Sequence, residues 1–300
     1  SDTYYDIHLG KGDEIADYAE NYRFNGTIID TVSVFYYGTS EATASTAGMG
    51  DAMTRSDSHK TTTIGGVSTA NRRSSTYYNT RFGKGDEIAD YSYQYLPRDG
   101  TTIKFTIKYE YSGKSASAAD SWEALTKDTI YRLTTTTIAH ERFYFGDKGD
   151  ELIDYVNDYY RDGSGVFSVT DYTYTGAGAL TQQVTRAAGE TIFTANYSGE
   201  RGDEKVMTTA DRKGVVHNYS YSGNNLTEVT IDNDTTIKYH QNAFGEDEIE
   251  YVEDYRGIRT NYTYSNGVLQ STSQSFSVTG GVKTVTTIYE LDAWLDERVA

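Results

Sequence analysis

The chain has 300 residues, 44 acidic against 27 basic side chains, a net charge of −17, and no cysteine. That charge excludes sequence-independent nucleic-acid binding and docking on anionic lipid, both of which need a basic face. The missing cysteines exclude a disulfide scaffold, thiolate metal sites and a cysteine nucleophile, and no apolar run reaches the roughly 18 residues that a membrane span needs.

Composition points to strands. There are 42 threonines and 29 tyrosines against one proline. Ile, Leu, Val and Phe make up only 54 residues, but tyrosine supplies apolar area of its own, and Tyr, Thr, Val and Ile all favour the pleated sheet. The opening Ser1-Asp2-Thr3 has no signal-peptide pattern and suits a processed, secreted chain.

In chain order, a first strand is expected at 3–9. The segment Gly10-Lys-Gly-Asp-Glu-Ile-Ala-Asp-Tyr18 follows and recurs as Gly83-Lys-Gly-Asp-Glu-Ile-Ala-Asp-Tyr91. Further copies are Gly146-Asp-Lys-Gly-Asp-Glu-Leu-Ile-Asp-Tyr155, Gly199-Glu-Arg-Gly-Asp-Glu204 and Gly245-Glu-Asp-Glu-Ile-Glu-Tyr251. Internal repetition of this kind governs the fold. Each copy leads to a turn (Asn25-Gly26, Asp99-Gly100, Asp162-Gly163, Lys213-Gly214, Arg256-Gly257) and then to an alternating strand. That strand ends in a pair spaced by two: Phe35/Tyr37, Tyr109/Tyr111, Tyr172/Tyr174, Tyr219/Tyr221 and Tyr262/Tyr264. Period-two spacing puts both aromatics of a pair on one sheet face.

A second glycine turn, a variable third strand and a fourth strand complete each unit, the fourth at 76–82, 137–145, 191–197, 235–244 and 284–289. The third connection is a Gly/Ala/Ser/Thr-rich insertion at 40–75 in the first unit and carries a helical turn at 118–127 in the second. The expected fold is all-β: one domain of residues 1–300 with five antiparallel hairpin units of about four strands. Their approximate bounds are 1–74, 75–136, 137–190, 191–234 and 235–283. An extra strand and a short C-terminal helix occupy 284–300. A five-bladed β-propeller and a spiral sheet both accommodate this pattern.

Lys213-Gly-Val-Val-His-Asn-Tyr-Ser-Tyr-Ser-Gly-Asn-Asn-Leu-Thr-Glu-Val-Thr230 and Gly257-Ile-Arg-Thr-Asn-Tyr-Thr-Tyr-Ser-Asn-Gly-Val-Leu269 resemble the tyrosine-rich YD repeat of Rhs and teneurin-type shells. The resemblance implies a secreted or surface-exposed sheet built by hairpin repetition. Ser112, Thr175, Ser222 or Ser265 stands where that repeat has Asp, and the Gly-Asp-Glu-Ile segment is not part of its pattern. No aspartyl self-cleavage core or toxin domain is recognisable, so toxin delivery is not carried over.

The acidic segments admit two readings. Clustered carboxylates suit a hard cation, with Asp13, Glu14, Asp86, Glu87, Asp150 and Glu151 as candidate calcium ligands. The alternative is a solvated turn whose charge discourages edge pairing. The five histidines, His8, His59, His140, His217 and His240, have no metal-ligand spacing. There is no nucleophile elbow and no phosphate loop, so the chain is read as a non-enzyme that requires no cofactor, calcium being optional.

The functional expectation is a secreted structural protein, extracellular or at the cell surface. It would assemble with copies of itself into a filament, tube or surface layer by C-terminal strand addition through Thr284, Val285, Thr286, Thr287, Ile288, Tyr289 and Trp294. A soluble carbohydrate-binding repeat module, with sugars stacked on tyrosine faces, is the alternative. A propeller-type glycosidase is the third reading. Nucleic acid and membrane insertion are not expected.

Overall fold

The computed structural model describes all residues except 24–27, 134–135, 233, 243–246, 266–267, 279–280, 292–296 and 300. Among them strands dominate and the only helical elements are three 3₁₀ turns. The chain divides into two compact units. One is Ser1–Tyr172 with Arg186–Gly189; the other is Thr173–Thr185 with Glu190–Ala300.

The first unit begins with β1 (Asp2–Asp6), β2 (Ile15–Tyr22), β3 (Ile29–Tyr37), β4 (Ala42–Thr43), β5 (Met53–His59) and β6 (Arg72–Asn79). It continues through β7 (Ile88–Tyr95), β8 (Ile103–Tyr111), β9 (Lys114–Ser115), β10 (Leu125–Arg132), β11 (Thr137–Phe145), β12 (Leu152–Tyr159) and most of β13 (Val166–Tyr174). Short β4 and β9 side-pair with β3 and β8. Otherwise each strand is antiparallel to its chain neighbour from β1 to β13. The second unit holds most of β14 (Leu180–Ala187), then β15 (Glu190–Ser198), β16 (Lys205–Asp211), β17 (Val216–Ser222), β18 (Asn225–Ile231) and β19 (Thr235–Gln241). β20 (Asp247–Glu253), β21 (Arg259–Ser265), β22 (Val268–Val278), β23 (Gly281–Leu291) and β24 (Glu297–Val299) complete it. From β15 onward it is again an antiparallel meander.

This pairing corrects the propeller expectation. A propeller interrupts the sheet between blades, yet the sheet runs on across the expected unit bounds, with β5 paired to β6 and β10 to β11 in the first unit and β18 to β19 in the second, and the acidic turns likewise join β6 to β7, β11 to β12 and β15 to β16 as hydrogen-bonded neighbours. The turns are short enough to return the chain alongside itself, so no blade boundary forms there.

Two further expectations are corrected. Residues expected to form a C-terminal helix are strand wherever they are described: Glu290 and Leu291 end β23, and β24 pairs with it through Tyr289↔Val299 to Leu291↔Glu297. The β-branched run Val285–Ile288 commits the segment to extended backbone. Trp294 and Leu295 lie outside the described residues. The helical turn expected at 118–127 is a pair of tight turns followed by the start of β10, because Glu123 accepts the Asp120 N–H at 2.8 Å and a Lys114 ammonium bond at 2.6 Å.

The core is thin and repeats. Ile15, Tyr37, Ala44 and Ala47 form one buried cluster with Phe35 and Met53 against it. Ile88, Tyr111, Ala116 and Ala119 form its counterpart, with Tyr109 and Leu125. In both, the Ala-rich third connection folds back over the sheet, and small side chains let its backbone approach the Ile and Tyr beneath. The aromatics at 37 and 111 are the second members of their pairs, and each donates its hydroxyl across the hairpin, Tyr37 to Ala16 O at 2.5 Å and Tyr111 to Ala89 O at 2.8 Å.

Candidate functional site

The acidic turns are the most repeated polar feature, and the structure gives nearly every letter a task. The second glycine of the first four copies has positive φ: 96° at Gly12, 93° at Gly85, 89° at Gly149 and 85° at Gly202. A side chain is strained in that region, so glycine is required. Its N–H then points at the Glu two residues on, at 3.0 Å for Glu14 and 2.8, 2.8 and 2.9 Å for Glu87, Glu151 and Glu204.

In three copies the other carboxylate oxygen reaches back two strands. Glu87 accepts the Met53 N–H at 2.8 Å, Glu151 the Leu125 N–H at 3.1 Å and Glu204 the Leu180 N–H at 2.9 Å. Those amides open β5, β10 and β14. Each Glu is therefore a latch that ties a turn to the start of the preceding unit's third strand. Amide donation favours the ionised form. The Leu180 N–H first of all holds the Glu204 carboxyl below the ordinary range, and the Glu14 and Gly12 N–H groups do the same for Glu14. The motif lysines add to the tie, Lys84 donating to Met49 O at 3.3 Å and Lys148 to Ser121 O.

Of the six carboxylates proposed for calcium, Glu14, Glu87 and Glu151 thus face amide hydrogens. Asp13 is half-buried, and Asp86 and Asp150 are exposed on the turns. Among the described residues no three His, Cys, Asp or Glu side chains converge in a metal-binding group. The proposed assembly residues Thr284, Val285, Thr286, Thr287, Ile288 and Tyr289 all lie in β23.

Two repeated features were not visible beforehand. The residue before the motif tyrosine, or before Thr208 in its place in the fourth copy, is a β-bulge: Asp17, Asp90, Asp154, Met207 and Glu250 have no opposite partner in the ladder. The bulges bring the motif tyrosines into face-to-face stacks, Tyr4–Tyr18 at 4.5 Å, Tyr77–Tyr91 at 4.7 Å and Phe143–Tyr155 at 4.3 Å. Where the aromatics are lost, Asn196 donates to Thr208 at 2.9 Å in their place. The second feature is a threonine one residue into the third strand. Thr54, Thr126 and Thr227 are bulged. They and Thr181 donate to carbonyls in the middle of the aromatic pairs, those of Tyr36, Glu110, Ser220 and Thr173. The sequence signal was the recurring Met/Leu-Thr dipeptide at 53, 125, 180 and 226.

Among solved structures the chain is similar to a Photorhabdus luminescens Tc holotoxin pore with a TccC3 variant: TM-score 0.39, 11 % identity, 89 % of this chain and 14 % of that one. It is similar to TcdB2-TccC3-TEV at TM-score 0.36 and 13 % identity, over 93 % and 15 % of the two chains. It is also similar to TcdB2-TccC3 without its hypervariable C-terminal region, at 0.36 and 12 % identity over 97 % and 14 %. The chain spans about one seventh of the length of those chains. No family model and no curated protein matches it.

Proposed function

We propose that the protein is a structural β-repeat protein, a wall of latched hairpins outside the cell that extends by adding strands at its edges. The observation that carries this reading is where its repeated polar residues are spent. In three copies the motif Glu ties its turn to the hairpin before it, and Lys84 and Lys148 add to the tie. Residues repeated for chemistry would instead converge on a shared cleft.

The edge of β23 supports the extension. Among the described residues β22 pairs along β23 from Ser271↔Ile288 to Val278↔Gly281, and β24 pairs with Tyr289–Leu291 alone. Val282, Val285 and Ile288 are 69 %, 55 % and 60 % exposed. A long apolar edge of this kind is a template for another strand. The net charge of −17 opposes the approach of like copies, so added salt should promote assembly by screening it.

Negative-stain electron microscopy and light scattering over a salt series test the proposal. The full chain is expected to form regular filaments, tubes or sheets as salt rises. A Val285→Lys/Ile288→Lys variant and a chain lacking 284–300 are expected to remain discrete particles. Discrete particles from the full chain at every salt concentration sink the assembly reading. Loss of the polymer on adding a chelator would give the acidic turns a bridging calcium.

A further inference from the structure

At the end of the first unit away from the acidic turns, the start of β8, the end of β10, the start of β11 and the β12–β13 turn line a groove of about 510 Å³. Lys104, Phe105, Arg132, Leu133 and Arg161 line it. Arg161 also lines an adjoining cleft of about 470 Å³ with Tyr160, Asp162 and Ser164. Both volumes lie within the range of about 300–1,000 Å³ in which small ligands are held.

Three basic side chains meet here in a chain of net charge −17. None of them has a carboxylate partner among the described residues. Arg132 is fixed by neutral acceptors: Nε donates to Arg161 O and Nη2 to Tyr159 O, both at 3.2 Å. That anchorage orients the guanidinium and leaves its charge uncompensated. Lys104 is the extra residue of a β-bulge opposite Gln94 and Tyr95, a device that re-aims a side chain. Asp162, the nearest acid lining the clefts, turns its carboxylate into its own loop and accepts the Ser164 N–H at 3.0 Å.

The apolar part of the site is unusual as well. Leu133 has a φ of 57° and is exposed, although a bulky side chain is strained in that conformation. Its N–H, donated to Lys104 O at 2.9 Å, holds it there. Beside the shared Arg161, Tyr160 meets Phe167 edge-on with ring centroids 5.5 Å apart, and both rings stay about half exposed.

We propose that this groove binds a short acidic saccharide, its carboxylate or sulfate on Arg161, Arg132 and Lys104 and its C–H face on the Tyr160 ring. Planar guanidinium groups match both oxyanions through paired hydrogen bonds. Exposed aromatic faces match the apolar face of a sugar. A long polyanion such as nucleic acid would meet the acidic remainder of the surface and be repelled, which favours a ligand of a few rings. This inference is independent of the assembly reading, and its test is run at one low salt concentration with light scattering alongside to read the state of the chain.

Titration calorimetry would compare a sulfated chondroitin tetrasaccharide and an oligogalacturonide with a neutral cello-oligosaccharide of equal length, with sodium sulfate as a fourth arm. The acidic sugars are expected to bind and the neutral one not. Arg161→Gln and Lys104→Gln should each weaken binding about tenfold or more, the equivalent of one lost charge-assisted hydrogen bond. Tyr160→Ala should weaken the acidic sugars without changing the salt dependence. Lys213→Gln, in the second unit, should leave affinity unchanged. Neither Arg161 nor Lys104 lends its side chain to a main-chain hydrogen bond in the fold, so circular dichroism should show both variants folded. The proposal is overturned if the acidic sugars fail to bind, if the neutral sugar binds equally, if sodium sulfate alone binds as tightly, or if folded Arg161→Gln and Lys104→Gln keep full affinity.

Discussion

Glu87 shows how much one side chain does in this fold. Its carboxylate accepts the Gly85 N–H and the Met53 N–H, both at 2.8 Å, and so joins a turn to a strand two places away. Glutamine has the same shape but turns one acceptor into a donor that faces an N–H. Glu87→Gln should therefore destabilise the first unit by about 1 kcal/mol, the cost of a lost bond at a partly buried site. Asp86→Asn, one residue earlier and exposed, should stay within about 0.5 kcal/mol of the parent. Urea denaturation of the two variants separates a latch from a merely acidic turn: equal effects would show that the two carboxylates act only through charge. The buried Asp128 belongs to the same class of groups, since Arg142 Nε lies 3.0 Å from both its oxygens and the Tyr144 hydroxyl donates at 2.7 Å.

The hairpin depends on its bulge. With Asp90 unpaired, Tyr77 faces Tyr91 while Tyr78 faces Ala89, and Ile88 points into the cluster beneath Tyr111. Deleting Asp90 would close the bulge into a regular ladder: Tyr91 would still face Tyr77, Ala89 would face Tyr78 and Ile88 would keep its side of the sheet, while the local bend and twist that seat the Tyr77–Tyr91 stack would be lost. The expected cost is therefore that of the ring pair, about 0.5–1.5 kcal/mol. Hydrogen exchange should then show β6 and β7 keeping slow amides, with loss confined to the residues beside position 90; loss of protection along the whole of both strands would mean that the bulge itself holds the register. The sequence made the repeat legible here, because Gly-Asp-Glu and the paired aromatics return letter for letter and their period of two is the period of a strand. The bulges were hidden for the same reason. A residue without an opposite partner looks like any other letter in an alternating run, and only cross-strand register reveals that Asp17, Asp90 and Asp154 stand outside it. The amides that engage Glu87 and Glu151 were hidden too, since they lie 34 and 26 residues earlier in the chain.

For the whole molecule, titration sets the range over which the folded state persists. Several carboxylates are held below their ordinary values. The His140 hydrogen bond does this for Asp158, the Leu180 amide for Glu204, and the Thr102 and Thr101 amides for Asp99. A depressed carboxyl contributes stability above its unfolded value and loses it as pH falls through the folded one. Asp17, raised by burial, works in the opposite sense. The tyrosines set the alkaline limit. Hydrogen bonding to Asp2 pushes Tyr22 up to about 12, burial and then Glu141 push Tyr159 up to about 12, and burial raises Tyr111 and Tyr144. A raised phenol contributes stability that is complete below its unfolded value and lost as pH rises towards the folded one. The urea midpoint should accordingly be flat at neutral pH, fall below about pH 4 and fall again above about pH 10. Tyrosinate absorbance should show a class of phenols ionising only as the second fall proceeds. Self-repulsion of the −17 charge pulls the other way on the acid side, since protonation relieves it. A midpoint that rose on acidification through the carboxylate range would mean that repulsion outweighs the hydrogen bonds to the carboxylates. A falling midpoint at low pH would place the balance with the hydrogen bonds that Asp158, Glu204 and Asp99 accept.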